Sequence, residues 1–216
     1  MKQYKTILFD LDGTLTDPGV GITKSVEYAL NRYGISVPDR AVLYPFIGPP
    51  LIDSFMKYYG FSKEQAVEAV EVYREYFRVK GLYENEVYHG VTELLKALKE
   101  AGKTLLIASS KPEKFVLTIL EHFDLLPYFD FVGGASMDET RSKKDDVVRY
   151  VLEAANVTDP ATAILVGDRK FDVHGAHAFG LDAIAVTYGY GSLEELTEAR
   201  PEYLAASPEE VERILI

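Results

Sequence analysis

The 216-residue chain has no cysteine. Disulfides, cysteine-ligated zinc, iron–sulfur clusters and a thiolate nucleophile are therefore excluded, which removes the cysteine route to phosphate-ester hydrolysis. Positive charge is scarce too: 23 Lys and Arg face 34 Asp and Glu, for a formal charge of −11. No Lys/Arg run interrupts that field, so neither nucleic acid nor an anionic membrane is an expected partner. An anionic substrate would be repelled as well, unless a local positive site such as a bound metal received it. Nor does any apolar run approach the length of a membrane span. Met1 to Phe9 is too short for a secretory signal and has no small-residue cleavage site. These absences predict a cytoplasmic protein. What is present is ordinary globular material. At 47% hydrophobic residues the chain can pack a core, as one large domain or a medium domain with a small companion.

Four short apolar runs, Thr6–Phe9, Thr104–Ala108, Ala163–Val166 and Ala183–Thr187, predict strands of a parallel sheet buried on both faces. Phe129–Val132 is a weaker fifth. Helical patterns separate them. Val91–Ala101 repeats Leu94, Leu95 and Leu98 and stops at Gly102; Pro112 opens a helix carrying Phe115, Val116, Ile119 and Leu120. Lys143–Ala155 turns Val147, Val148, Val151 and Leu152 inward. This alternation predicts an α/β fold with a doubly wound parallel sheet. Residues 16–88 break it: helical patterns occupy Gly21–Tyr33 and Ser62–Val79, another lies between Arg40 and Tyr59, and no strand pattern is found. Ser62 and Gln65 have capping-box spacing. The expected organisation is an α/β catalytic core of residues 1–15 and 89–216, with a helical subdomain, residues 16–88, inserted after the first strand.

The chemistry-bearing residues follow the strands. Asp10-Leu11-Asp12-Gly13-Thr14-Leu15-Thr16 comes directly after the first, at the carboxyl edge where open α/β sheets bind ligands. An aspartate there can attack phosphorus and form an acyl phosphate. A second carboxyl two residues on can protonate the leaving oxygen and then deprotonate water. Gly13 lets the backbone turn and aim N–H groups at phosphate oxygens. Ser109 and Ser110 end the second strand before a helix start, a cradle for phosphate. Gly167-Asp168-Arg169-Lys170-Phe171-Asp172 brings two further carboxylates to a strand end. Four aspartates on one edge repel unless a cation sits among them, and all-oxygen ligands with phosphate chemistry point to Mg²⁺. Lys143 and Lys144 begin the preceding helix, where the helix dipole disfavours them, and one of them is a candidate to neutralise the transferred phosphoryl group.

Together these residues resemble the haloacid dehalogenase-like superfamily, along the whole chain. The resemblance implies Asp10 as nucleophile, Asp12 as acid/base, Ser109 as phosphate-binding hydroxyl and Lys144 as phosphate lysine, a place that Lys143 or Lys111 would also fit. It implies Mg²⁺ held by Asp10, the backbone carbonyl of Asp12, and Asp168, with Asp172 as the partner of Asp168. Gly13, Ser110, Asp172 and Lys24 are further candidates for contact with phosphate or substrate. Dehalogenases of the superfamily lack the second aspartate, so Asp12 implies phosphoryl transfer. The helical insert resembles a type 1 cap, and Thr14–Leu30 and Phe46–Leu51 are most similar to phosphoglycolate phosphatase-like members. The expected activity is Mg²⁺-dependent hydrolysis of a small phosphorylated metabolite through an aspartyl phosphate. Phosphoglycolate-like substrates are the first reading and nucleoside or aryl phosphates, as for a 5′-nucleotidase, the alternative. A phosphoglycolate carboxylate would need a cation; the loop Tyr44–Leu51 has none, and Lys24 is the nearest cap candidate in sequence after the nucleophile loop. A phosphomutase is the rival enzyme class. A signalling receiver is the non-enzyme rival, disfavoured by a base so near the acceptor. Monomer and dimer both remain open. His174 and His177 share a helix face with apolar neighbours and read as packed, and Gly189-Tyr190-Gly191 reads as a turn.

Overall fold

The computed structural model describes residues 2–138 and 140–216. Its first strand, β1 (Thr6–Phe9), follows from a Thr-Ile-Leu-Phe run in which Ile7, Leu8 and Phe9 are fully buried. A short β2 (Thr16–Asp17) leads into α1 (Gly19–Arg32), a 3₁₀ segment at Arg40–Phe46, α2 (Leu51–Tyr59) and α3 (Lys63–Tyr76), which runs on into a π-helical turn, Phe77–Gly81. After β3 (Glu86–Val87) come α4 (Val91–Glu100), β4 (Thr104–Pro112), α5 (Glu113–His122) and β5 (Phe131–Ala135). The chain continues through α6 (Lys144–Ala154), β6 (Ala163–Gly167), α7 (Lys170–Ala178) and β7 (Asp182–Val186). It closes with α8 (Leu193–Ala199), β8 (Tyr203–Ala205) and α9 (Pro208–Leu215). Two compact units result: Asp17–Glu86, and Val87–Ile216 together with the N-terminal stretch through Thr16.

The Asp17–Glu86 unit is helical. Its α3 starts as the sequence spacing requires: Ser62 Oγ accepts the Gln65 N–H at 3.2 Å while Gln65 Oε1 accepts the Ser62 N–H at 2.9 Å, which satisfies two amides that the helix start would otherwise orphan. The helical pattern between Arg40 and Tyr59 is split into the 3₁₀ segment and α2. Gly48, at φ +105°, and the following Pro49-Pro50 part the two, because proline supplies no N–H to continue a helix ladder. Aromatic rings hold this unit together. Phe55 stacks on Phe61 at 5.7 Å between centroids and meets Phe46 edge-on at 5.1 Å.

The other unit is a six-stranded parallel sheet in the order β5-β4-β1-β6-β7-β8. From β1 the chain winds outward through β4 to β5, then returns to the far side of β1 and winds through β6, β7 and β8. The switch point therefore lies between β1 and β6. Alternation along the strands sends Leu8, Leu106, Leu165, Ala183 and Ala185 to one face, where they pack with Val147, Val148 and Val151 of α6 and Val173 and Ala176 of α7. Ile7, Leu105, Ile107, Ile164 and Ile184 are equally buried and lie on the other face.

Several features differ from the sequence pattern. Residues 16–88, read as free of strands, hold β2 and β3, which at two residues each are too short to show alternation. β4 continues past Ala108 to Pro112, with a register shift between Ser109 and Pro112, so the two serines are extended backbone rather than a helix cap. β8 went unrecognised because it is three residues long and only Ala205 in it is buried. His174 and His177 are exposed rather than packed, since Val173 and Ala176 take the inward face of α7; His177 Nε2 lies 3.2 Å from Glu202. Leu165, in β6 beside the switch point, has no exposed surface. Leu165→Ala should cost about 3 kcal/mol of stability, read as a lower urea midpoint with unchanged slope; a loss under about 0.5 kcal/mol would contradict this packing.

Candidate active site

Asp10 leaves β1 with its N–H donated to the Val166 carbonyl at 2.9 Å, which ties it to the end of β6. Asp168 follows β6 directly and has no exposed surface; Asp172 sits in the first turn of α7 and is also buried. One carboxylate oxygen from each of these three aspartates lies within 4.8 Å of the other two. Into this group reaches Lys144, buried at the start of α6. Its Nζ stands 2.6 Å from Asp172 Oδ1 and 3.0 Å from Asp10 Oδ1, and donates to the Ala108 carbonyl at 2.8 Å. Lys143, one residue earlier, is exposed. Of the adjacent pair, Lys144 is the one turned inward: it shares that face with Val147, Val148 and Val151, at the spacing of one to two turns.

Asp12 is buried as well, with a different partner. Lys111 Nζ donates to both of its oxygens, at 2.7 and 2.6 Å. Lys111 reaches it because β4 is extended through that position. Ser109 is buried, its Oγ accepting the Lys111 N–H at 3.3 Å, while Ser110 is half-buried. Gly13 has φ +84°, and a β-carbon there would fall 2.1 Å from Asp168 Oδ2. Only glycine fits this turn for both reasons. Asp172, a sequence candidate for the substrate side, has both oxygens turned to protein groups: Oδ1 to Lys144, and Oδ2 to the Arg169 N–H at 3.0 Å. Lys24 belongs to the helical unit, where Glu84 Oε1 takes its ammonium at 2.6 Å.

The charges do not balance. Asp10, Asp12, Asp168 and Asp172 set four negative charges against the two of Lys111 and Lys144. Burial, then Asp172 and Asp10, hold the Asp168 carboxyl well above the usual range. Burial pushes Asp172 up to about 6, with Lys144 opposing and Asp10 adding to the rise. Burial also raises Asp12, against the pull of Lys111. Burial alone would lower Lys144, but the Asp10 and Asp172 carboxylates outweigh it and raise its pKa. Asp168 Oδ1 is buried with neither a hydrogen bond nor an ion pair among the described residues. An oxygen-only donor set, two excess negative charges and one orphaned carboxylate oxygen fit a hard divalent cation.

Gly189-Tyr190-Gly191 is a turn, as its sequence reads, but sequence reasoning missed its part in the site: it packs against Asp168, and the Tyr190 N–H donates to Asp168 Oδ2 at 2.7 Å. Its two glycines serve close approach to that residue.

The crowding has a sign that can be read in the metal-free protein. A raised carboxyl pKa means the folded state holds its proton more tightly than the unfolded chain. Stability is then fully present below about pH 4 and is lost as pH rises through the folded value, about 6 for Asp172. Asp168→Asn removes one of the repelling charges. In EDTA at pH 7 it should be more stable than wild type by about 1 kcal/mol, and this advantage should shrink toward pH 4. Thermal unfolding of both proteins checks this, and a variant less stable at pH 7 contradicts it.

Residues 7–186 match the family described as haloacid dehalogenase-like hydrolase. The chain is 46% identical over 213 residues to a 5′-nucleotidase of Pseudomonas aeruginosa, covering 99% of this chain and 96% of that protein. It is 38% identical over 185 residues to the tyrosine-protein kinase PtkA of Mycobacterium tuberculosis, covering 86% of this chain and 62% of that protein. The crystal structure of a predicted phosphatase from Clostridium acetobutylicum superposes with a TM-score of 0.96 at 49% identity, covering 99% of this chain and 98% of that one.

Proposed function

The chain belongs to the haloacid dehalogenase-like hydrolase family and is a phosphatase, and we propose that it hydrolyses a nucleoside 5′-monophosphate through a phosphorylated Asp10. The observation that carries the mechanism is the buried group of Asp10, Asp168, Asp172 and Lys144 at the switch point of the sheet. Asp10 Oδ1, 3.0 Å from Lys144, is a carboxylate oriented by a permanent positive charge. In the first step an Asp10 oxygen bonds to phosphorus and the bond to the ester oxygen breaks. Asp12 gives that leaving oxygen a proton. In the second step Asp12 takes a proton from water, the water oxygen bonds to phosphorus, and the acyl–phosphate bond breaks to restore Asp10. Burial that lifts the Asp12 carboxyl, checked by Lys111, suits a group that must give and then take a proton. Lys144, with the Ser109 hydroxyl, supplies positive and polar contacts for phosphate oxygens. Mg²⁺, held by Asp10, Asp168 and the Asp12 carbonyl, would offset the charge of the phosphoryl group.

Two observations favour a nucleotide over phosphoglycolate. The 5′-nucleotidase relative aligns along nearly the full length of both proteins. In the helical unit Lys24 is already neutralised by Glu84, whose carboxylate also meets the Tyr76 hydroxyl at 3.3 Å. So paired, Lys24 has no unmet charge to offer a second carboxylate, and a nucleoside needs none.

The Asp10→Asn variant keeps the size of the side chain without its charge, and turnover of nucleoside monophosphates should fall by at least about a thousandfold. EDTA should abolish wild-type turnover and Mg²⁺ restore it. Released phosphate should equal released nucleoside; a shortfall would indicate transfer to another acceptor, as the name of PtkA describes for that protein. Higher kcat/KM for phosphoglycolate than for any nucleoside monophosphate would reverse the substrate assignment.

A further inference from the structure

We infer that the turn from Tyr188 to Gly191 is a positioning element that fixes the Asp168 carboxylate and thereby sets how tightly the aspartate cluster holds a divalent cation. This rests on the reading of Asp168 as a metal ligand. The turn follows β7 and is itself anchored. The Tyr188 hydroxyl donates to the Thr14 carbonyl at 2.9 Å, and its ring meets Tyr88 edge-on at 5.0 Å. So tethered, the turn presses its backbone against Asp168. A β-carbon at position 189 would fall 2.4 Å from Asp168 Cβ and 2.4 Å from the Gly13 carbonyl oxygen. One at position 191 would fall 2.1 Å from the Asp168 carbonyl oxygen. Gly13 closes the same carboxylate from the other motif.

Between the two glycines, the Tyr190 N–H takes Asp168 Oδ2 at 2.7 Å. The other oxygen, Oδ1, is buried and has no hydrogen-bond partner among the described residues. The turn therefore selects which oxygen is offered to a cation, and holds it there before any cation arrives. Outer contacts that orient a ligating carboxylate are worth about ten- to a hundredfold in metal affinity. The side chain of Tyr190 is not part of this argument; its amide is.

Calorimetric titration of the metal-free full-length protein with Mg²⁺ is the test, on wild type, Gly189→Ala and Tyr190→Phe. Gly189→Ala should bind at least about tenfold more weakly, and its unfolding temperature in EDTA should fall as well, because a β-carbon 2.4 Å from the Gly13 carbonyl oxygen forces backbone to shift. Tyr190→Phe keeps the amide and should bind as wild type does. A folded Gly189→Ala protein that binds within twofold of wild type overturns the inference alone, while a wild-type protein that takes up no Mg²⁺ overturns the metal reading beneath it. Should Gly189→Ala fail to fold, amide exchange in wild type decides. Positioning requires the Tyr190 amide to be protected already in EDTA; an amide that becomes protected only with Mg²⁺ overturns it.

Discussion

Like charges brought out of water onto one edge of a sheet are the constraint on which this site is built. Four buried carboxylates would not tolerate one another unaided. Two lysines answer part of that repulsion. Lys144 stands at a helix start, where the dipole opposes a cation, and is held there by Asp10 and Asp172. Lys111 comes from an extended strand end and closes on Asp12. The sheet order imposes the crowding in the first place, because β1 and β6 are neighbours and both end in aspartate. What the lysines leave uncompensated is negative charge of the kind that a divalent cation would offset.

Much of this was legible in the residues alone. An apolar run ending in Asp10-Leu11-Asp12-Gly13 has few other meanings, and the alternation of strands and helices places it at a carboxyl edge. The strand Thr104–Ala108 was visible by its apolarity, but its continuation through Ser109, Ser110 and Lys111 was not, since polar residues beside a binding edge look like a loop. Lys143 and Lys144 were separable in principle: one step along a helix is about 100° of rotation, and only Lys144 falls in line with the valines. Gly189 and Gly191 were opaque for a different reason. Their role depends on what lies across from them, and Asp168 is distant in sequence.

The helical unit shows the opposite economy of charge. Lys24 is matched to Glu84, Arg74 to Glu71 at 2.5 Å, and Arg32 to Glu75 at 3.5 Å, while aromatic rings make its interior. Arg32–Glu75 is exposed on both sides and adds little stability, whereas Arg74 is buried, so its pairing satisfies a charge that has left water.

The place of β1 in the sheet has a consequence for how the chain is made. β1 is the first strand to be synthesised, yet its neighbours are β4 and β6, and the whole helical unit is translated before either exists. A nascent chain therefore carries Ile7, Leu8 and Phe9 with no strand beside them until β4 is made, about half-way along, as an apolar segment open to chaperones or to other chains. The helical unit, whose contacts are local, can form in the meantime. Asp10 and Asp168 meet only when β6 docks beside β1, so the charged centre waits on a strand made long after the one that carries its first aspartate.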